Sequence, residues 1–329
     1  MHAEKATTLR GAALALAAYG VFATHDVLIK YLGGSYSPFQ IVFFSVLFGF
    51  PMVTLLLMRD ARQGHLRPIY PLWTALRTAA GVITGATAFY AFSVLPLAQT
   101  YAILFAAPLL ITLMAIPMLG ERVGIRRGAA VLVGLCGVMI VLRPGATELT
   151  LGHLAALVAA IFGAFGAVIM RKIGQEERSV VLILYPMMAN VVVMGLALPF
   201  VYEPMPGLDM LALAVIAAFA LVGTSLLIFA YRLAPAATVA PMQYSQILWA
   251  TAYGALFFSE GLEWATAVGS AVIIASGMYI VFREDRGGRS TTTPVLRTRS
   301  RVGAPSSPRV ANFLPSEQRG PQPAHAPEV

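Results

Sequence analysis

Residues 11–34 (GAALALAAYGVFATHDVLIKYLGG) and residues 152–175 (GHLAALVAAIFGAFGAVIMRKIGQ) are two apolar stretches that align without a gap. The alignment places Gly11 on Gly152, Lys30 on Arg171 and Gly33 on Gly174. Each stretch has about the 20 apolar residues that span the hydrocarbon core of a membrane. The sequence therefore predicts two corresponding membrane helices, one near the start and one near the middle of the chain.

The correspondence continues beyond these helices. FSVLPLA at residues 92–98 aligns with YRLAPAA at residues 231–237, and Glu121 aligns with Glu260. We therefore predict two repeats of five helices, residues 10–143 and 144–283, and interpret the two glutamates as structural residues at helix ends. Because five is odd, the second repeat enters the membrane inverted relative to the first. Inverted repeats are typical of secondary transporters, which bind substrate near the midplane between the halves.

The composition indicates an all-α integral membrane protein. Of 329 residues, 58% are hydrophobic and only 12% are charged, and the mean hydropathy is +0.76. Soluble domains have about 25% charged residues. Ten stretches are long and apolar enough to be transmembrane helices around a central cavity. They are residues 10–31, 38–58, 74–94, 97–118, 125–142, 153–171, 179–200, 209–231, 236–257 and 264–282.

Lysine and arginine residues predict the orientation of these helices. Before residue 283, 13 of them lie on the side of the N-terminus, and two, Lys30 and Arg143, lie on the other side. By the positive-inside rule, both termini are cytoplasmic and the protein crosses the inner (plasma) membrane. Residues 1–9 are then a short cytoplasmic N-terminus, and residues 284–329, rich in Pro, Ser and Arg, are a disordered cytoplasmic tail. The charges lie at helix ends and in this tail, so we expect contact with the lipid bilayer and not with nucleic acid.

Charged residues inside helix 1 are the first functional candidates. His25, Asp26 and Lys30 lie in an apolar stretch, where a charge costs about 2.5–3.5 kcal/mol and therefore has a partner or a role. Asp26 and Lys30 are four residues apart, so we predict an intrahelical ion pair near the periplasmic end, where Asp26 stays hydrated. The pair is interpreted as setting the depth of helix 1 or holding an outer gate. Proton coupling or substrate contact by Asp26 is the alternative, and His25 is either a packed histidine or a titratable neighbour.

Helix 9 is the most polar of the ten predicted helices. Gln243, Gln246 and Trp249 recur at a spacing of three, on or near one face, and Tyr244 lies between them. Polar groups in a membrane helix need partners, so this face is predicted to line a substrate cavity. Pro241 precedes the polar face and is expected either to interrupt helical hydrogen bonding or to form a simple kink.

Helices 3 and 4 supply the other cavity candidates, Thr87, Tyr90 and Pro108. Pro108, like Pro241, is expected either to interrupt helical hydrogen bonding or to form a simple kink. Tyr90 and Tyr101 lie near the predicted outer helix ends, where aromatic residues also serve as anchors at the membrane interface.

Other functional classes lack the residues that they need. A zinc protease needs His-Glu-x-x-His, an ATP-driven pump needs a phosphate-binding loop, and neither pattern occurs. A channel would line its pore with rings of like groups, whereas the polar residues here concentrate in helix 9. The chain is therefore predicted to be a transporter of a small-molecule metabolite, with protons as a candidate coupling ion, and to use no metal or cofactor.

Short motifs at corresponding positions of the two repeats support a family assignment. YAFSVLPLA at residues 90–98, LGERVG at 119–124, YRLAPAA at 231–237 and FSEGLEW at 258–264 resemble the EamA family of drug/metabolite transporters, over residues 10–283. The resemblance implies alternating access without ATP and a cavity lined by helices 1, 3, 4, 6, 8 and 9. It leaves amino acids, nucleosides and vitamins open as substrates. The Asp26-x-x-x-Lys30 spacing is similar to a subset of the family that includes riboflavin and S-adenosylmethionine importers.

Overall fold

The computed structural model describes residues 2–58, 66–121, 124–145, 148–174 and 176–286. These residues form helices joined by short connections. The helices are α1 (His2–Gly33), α2 (Pro38–Met58), α3 (Pro71–Val94), α4 (Leu97–Leu104), α5 (Ala107–Leu119), α6 (Ile125–Leu142), α7 (Leu151–Ile173), α8 (Ser179–Val201), α9 (Gly207–Leu233), α10 (Ala236–Val239), a 3₁₀ helix (Ala240–Ser245), α11 (Gln246–Phe258) and α12 (Trp264–Arg286). If α4 and α5 count as one segment and α10 to α11 as another, the described residues form ten helical segments. The predicted all-α architecture is therefore confirmed.

Within the described residues, seven helical stretches are long and apolar enough to cross a membrane. They include α1, the combined α4 and α5, and all five of α6, α7, α8, α9 and α12. A further apolar helix, Pro38–Thr54, is shorter within the described residues. The multi-pass membrane character predicted from the composition is confirmed. Helix 1 begins at His2, so most of the predicted N-terminal segment 1–9 is helical, and nearly all of the predicted tail, from residue 287, lies outside the described residues.

Two of the predicted helices are interrupted near their centres. α4 ends at Leu104 and α5 begins at Ala107, one residue before Pro108, which has no N–H to donate to the Leu104 carbonyl. The predicted helix 236–257 is likewise divided, because Pro241 lies in the 3₁₀ helix that connects α10 to α11. The expectation that these prolines interrupt helical hydrogen bonding is confirmed. The consequence is a short length of irregular backbone in the interior of the bundle.

Long helix pairs form the framework of the bundle, with α1 along α9, α3 along α7, and α6 along α12. Glycines allow the closest approaches. A Cβ added to Gly137 of α6 would lie 2.9 Å from the Gly269 carbonyl oxygen of α12 and 2.8 Å from Ile273. Small residues at such crossings let membrane helices pack backbone to backbone, which is the main source of helix association in lipid.

The bundle has two ends, which we name the Lys30 end and the Arg171 end. Lys30 lies beside the Leu95 carbonyl at the end of α3, and Gly152 at the start of α7 packs against Leu95. From there α7 runs about 20 residues, or roughly 30 Å, before it reaches Arg171. The two cations therefore lie at opposite ends of the bundle.

The interrupted helices approach each other at only one end. At the Lys30 end, α4 packs closely against α11. At the Arg171 end, α5 makes no comparable contact with α10 or the 3₁₀ helix within the part of the chain that the structure describes. Among the described residues, these helices therefore contact each other more closely at the Lys30 end than at the Arg171 end.

The contact of α6 with α12 generates the first prediction. Gly137→Ala should destabilise the bundle by about 1–3 kcal/mol, because the new methyl group overlaps the backbone of α12. We expect a lower thermal unfolding midpoint of the purified protein in detergent. Gly128→Ala is the matched control on the same helix, because a Cβ there meets nothing within 4 Å. Equal midpoints for both variants would contradict the packing described here.

Candidate functional site

A buried polar cluster joins α1, α4 and α11. One oxygen of the Asp26 carboxylate accepts a hydrogen bond from the Tyr101 hydroxyl, and the other lies 2.7 Å from Nδ1 of His25. The side-chain amide of Gln246 donates to the Tyr101 oxygen at 3.2 Å. Asp26 is only 1% exposed. Both carboxylate oxygens therefore have the partners that a buried charge requires.

The predicted ion pair between Asp26 and Lys30 is wrong. Lys30 Nζ lies 2.8 Å from Glu260 Oε1 and donates to the Leu95 carbonyl at 2.6 Å. The long lysine side chain reaches the end of α1, where α3 and α11 offer these two acceptors, so it does not turn back towards Asp26. The expectation that Asp26 stays hydrated is also wrong, because Tyr101 of α4 lies against it.

Glu260 connects four helices at the Lys30 end. In addition to its contact with Lys30, its Oε2 accepts a hydrogen bond from the Leu97 N–H at 3.0 Å, at the first residue of α4. A carboxylate at a helix N-terminus is favoured because unpaired N–H groups and the helix dipole meet there. The Phe258 ring lies 5.3 Å from Lys30 Nζ. We call the contact of Lys30 with Glu260 the Lys30 ion pair; it holds the ends of α1, α3, α4 and α11 together.

A second buried ion pair lies at the Arg171 end, between Arg171 at the end of α7 and Glu121 after α5. We call it the Arg171 ion pair. Its two residues are those that align with Lys30 and Glu260 in the sequence. Next to it, Lys172 donates to the Met118 carbonyl at 3.0 Å and lies over the Trp73 ring at 4.4 Å. At each end of the bundle, a cation on one helix therefore pairs with a carboxylate that follows a different helix.

An aromatic pair on α11 lies against α1, near the polar cluster. The rings of Trp249 and Tyr253 stack with centroids 6.1 Å apart and an interplanar angle of 30°. Trp249 packs against Gly20, and the Tyr253 hydroxyl lies 3.1 Å from the Thr24 hydroxyl. Trp249 is 39% exposed.

The remaining predicted cavity residues are dispersed. Gln243 is half-buried in the 3₁₀ helix, and Tyr244 is buried against Phe105, with its hydroxyl close to Gly277 of α12. Thr87 donates to the Ile83 carbonyl of its own helix, Tyr90 is half-buried, and Pro108 is buried at the start of α5. The structure therefore brings His25, Asp26 and Gln246 together, with Trp249 on the next turn of α11. The predicted cavity roles of Gln243, Tyr244, Thr87, Tyr90 and Pro108 remain predictions.

The structure adds residues to the cluster that the sequence did not assign to it. Tyr101, expected as an aromatic residue at the membrane interface, is 3% exposed and bonds to Asp26. Thr24 and Tyr253 join α1 to α11. The sequence contained one indication of this role. A buried Asp26 needs a hydrogen-bond donor, and a tyrosine hydroxyl can supply it in a membrane interior.

A separate cavity of about 560 Å³ lies between α3 and α8. Its lining is mainly apolar and includes Ala75, Val82, Tyr185 and Val193. The cavity has the volume of a ligand pocket, but the lining contains none of the charged residues described above. Within the described residues, no group of three or more His, Cys, Asp or Glu side chains could hold a metal ion.

Comparison with known proteins identifies relatives of the whole bundle. The chain is similar to the S-adenosylmethionine uptake transporter of Rickettsia bellii, with 26% identity over 80% of this chain and 90% of the relative. It is also similar to the pseudopaline exporter CntI of Pseudomonas aeruginosa, with 26% identity over 82% of this chain and 93% of the relative. One solved crystal structure shares the fold, with a TM-score of 0.54 and 18% identity over 87% of this chain and 99% of that chain.

A family profile matches the chain twice. The profile of the EamA-like transporter family matches residues 9–143 and, again, residues 150–283. Together the two matches include every helix described above. Members of this family are transporters and not enzymes, in agreement with the prediction. The chain therefore belongs to the EamA-like transporter family, as its motifs indicated.

Proposed function

We propose that this protein is a secondary transporter for a positively charged small metabolite with an aromatic ring system, of the class of S-adenosylmethionine. The observation that carries the proposal is the buried carboxylate of Asp26, held by His25 and Tyr101 near the stacked rings of Trp249 and Tyr253. A carboxylate binds an organic cation, and aromatic faces bind both cations and planar bases. The relative from Rickettsia bellii is a transporter of this substrate class.

The prediction of alternating access between two inverted repeats, residues 10–143 and 144–283, is part of the proposal. The alignment of the two halves and the two matches to one family profile support it. With both termini cytoplasmic, as the distribution of lysine and arginine predicts, the Lys30 end faces the periplasm. The described conformation is then closed to the periplasm between α4 and α11, and the substrate would reach the cluster from the cytoplasmic side.

Protons are the proposed coupling ion. His25 and Asp26 are adjacent titratable groups in the bundle interior, and Tyr101 is the third titratable group in contact with them. Buried ionisable residues of this kind mark proton relays in membrane transporters. The uptake name of one relative and the exporter name of another leave both directions of transport as outcomes to be measured.

Transport in proteoliposomes is the direct test. We expect the protein to move radiolabelled S-adenosylmethionine faster when a pH gradient is imposed, whereas riboflavin or neutral amino acids should not compete. Asp26→Asn should lower transport by about tenfold or more, because a charge-assisted hydrogen bond contributes roughly 1.5–3 kcal/mol. Glu263→Gln, which removes an exposed carboxylate paired with Arg143, is the control and should transport normally. Normal transport by Asp26→Asn would reject this site.

The Tyr101 hydroxyl gives a finer test of the cluster. Tyr101→Phe keeps the ring but removes the bonds to Asp26 and Gln246. We expect transport to fall by about fivefold or more, since an unsatisfied buried carboxylate oxygen costs at least 1–3 kcal/mol. Tyr279→Phe on α12, where the tyrosine is exposed, should have no effect on the same assay. Equal activities of the two variants would show that the hydroxyl has no part in transport.

Reporter fusions test the orientation. A reporter that is active only in the cytoplasm should be active when fused after residue 283, because both termini are predicted to be cytoplasmic. The same reporter inserted at residue 149, in the connection before α7, should be inactive, because this connection is predicted to be periplasmic. The opposite pattern would contradict both the orientation and the assignment of the Lys30 end to the periplasm.

A further inference from the structure

Both carboxylate oxygens of Glu260 in the Lys30 ion pair have partners, and Lys30 has a second acceptor. Glu260 contacts Lys30 with Oε1 and accepts the Leu97 N–H with Oε2, and Lys30 also donates to the Leu95 carbonyl. The pair therefore has two further partners on the backbone around Pro96, where α3 ends and α4 begins. These bonds close the Lys30 end.

The Arg171 ion pair is only half satisfied. Glu121 contacts Arg171 with Oε1, but Glu121 Oε2 and Arg171 Nη1 are buried and have no hydrogen-bond partner among the residues that the structure describes. The two side chains are 5% and 7% exposed. An unpaired atom of a buried charged group is costly and rare, so these two atoms require an explanation.

The sequence alignment of the two halves identifies the missing partners. FSVLPLA at residues 92–98 aligns with YRLAPAA at residues 231–237. Leu97 therefore corresponds to Ala236, the first residue of α10, and Leu95 corresponds to Ala234, at the end of α9. Glu121 Oε2 corresponds to Glu260 Oε2, which binds Leu97, and Arg171 Nη1 offers a second donor just as Lys30 Nζ donates to Leu95 in addition to contacting Glu260.

We propose that Glu121 and Arg171 form the cytoplasmic gate, with bonds that are completed only in the alternate conformation. In that conformation, Glu121 Oε2 accepts the Ala236 N–H and Arg171 Nη1 donates to the Ala234 carbonyl. The Lys30 ion pair meanwhile loses its bonds to Leu97 and Leu95, and the Lys30 end opens. Each ion pair thus acts as a positioning group for one end of the bundle. This inference rests on the proposed alternating access but not on the proposed substrate.

The local backbone fits this exchange. Leu97 and Ala236 each follow a proline and begin a helix, where the first N–H groups have no partner within the helix. A carboxylate can therefore bind or release either N–H without breaking a helical hydrogen bond. A rigid shift of α4 or α10 at its proline is sufficient to make or break the contact.

Distances between pairs of spin labels test the exchange without substrate. In a Cys136→Ser background, one pair is placed at Val94 and Ala255, near the Lys30 end, and the other at Ile116 and Leu233, near the Arg171 end. All four positions are exposed, and the second pair aligns with the first in the repeat. Glu260→Gln should lengthen the distance between 94 and 255 and shorten the distance between 116 and 233. We expect the ratio of the two populations to change by roughly tenfold, since Glu260→Gln removes the charge that pairs with the partly buried Lys30.

Two further variants keep the test decisive. Ala236→Pro removes only the N–H that Glu121 is proposed to bind, at a first helical position where proline is favoured. Combined with Glu260→Gln, it should return both distances towards those of the parent. Glu263→Gln, at the same end as Glu260 but 62% exposed, should leave both distances unchanged.

Several outcomes would overturn the proposal. They are unchanged distances in Glu260→Gln, a lengthening of both distances, or no effect of Ala236→Pro in the Glu260→Gln background. If the distances move reciprocally while S-adenosylmethionine is not transported, the substrate assignment fails and the gate stands. If transport is normal but the distances do not respond, the gate fails and the substrate assignment stands.

Discussion

A charge in the interior of a membrane protein must be paired, and this requirement determines how the helices of this bundle are held together. Asp26, Lys30, Glu121 and Arg171 lie on or beside three helical segments, α1, α5 and α7, and each contacts a group on another segment. Apolar side chains alone fix the order of membrane helices weakly, because lipid solvates them nearly as well as protein does. The ion pairs and the Asp26 cluster are therefore the contacts that set the register of α1 and α7 against their neighbours.

A second constraint acts on the backbone. In lipid, every N–H and carbonyl must be satisfied internally, so irregular backbone occurs only where protein surrounds it or where it lines a cavity. The two interruptions, before Pro108 and around Pro241, lie next to Tyr101 and Gln246, which are hydrogen-bonded to each other. The polar cluster thus lies where two helices lose regularity, as in other transporters with broken helices at their substrate sites. The interruptions separate α4 from α5 and α10 from α11.

The helices can be predicted well from the sequence, because the length of an apolar stretch is a property of that stretch alone. The sequence also indicates Pro108 and Pro241 as positions of a break or a kink, since a proline removes a donor, although Pro51 and Pro186 lie inside continuous helices. The partner that a charged or polar side chain contacts cannot be predicted in the same way. Asp26 and Lys30 have the spacing of an intrahelical pair, yet Lys30 contacts Glu260, which is 230 positions later in the chain and meets it only in the folded bundle. Tyr101 has the position of an interfacial aromatic, yet the contact of α4 with α11 buries it. Both outcomes depend on contacts between helices, about which the periodicity of a single helix carries no information.

The two halves of the chain share the residues of the ion pairs but not Asp26. The proposed transport cycle requires both the likeness and the difference. The residues of the ion pairs occur in each half, since Lys30 and Glu121 align with Arg171 and Glu260. Asp26 has no counterpart, because Ala167 occupies the equivalent position in α7. A cycle with two closed states needs an equivalent set of contacts at each end, of similar strength, so that neither state is a trap. A single substrate needs one anchor that remains accessible from both sides, and a second buried carboxylate would add a desolvation cost without a partner. The duplicated charges therefore fit the conformational exchange, and the unduplicated carboxylate fits recognition.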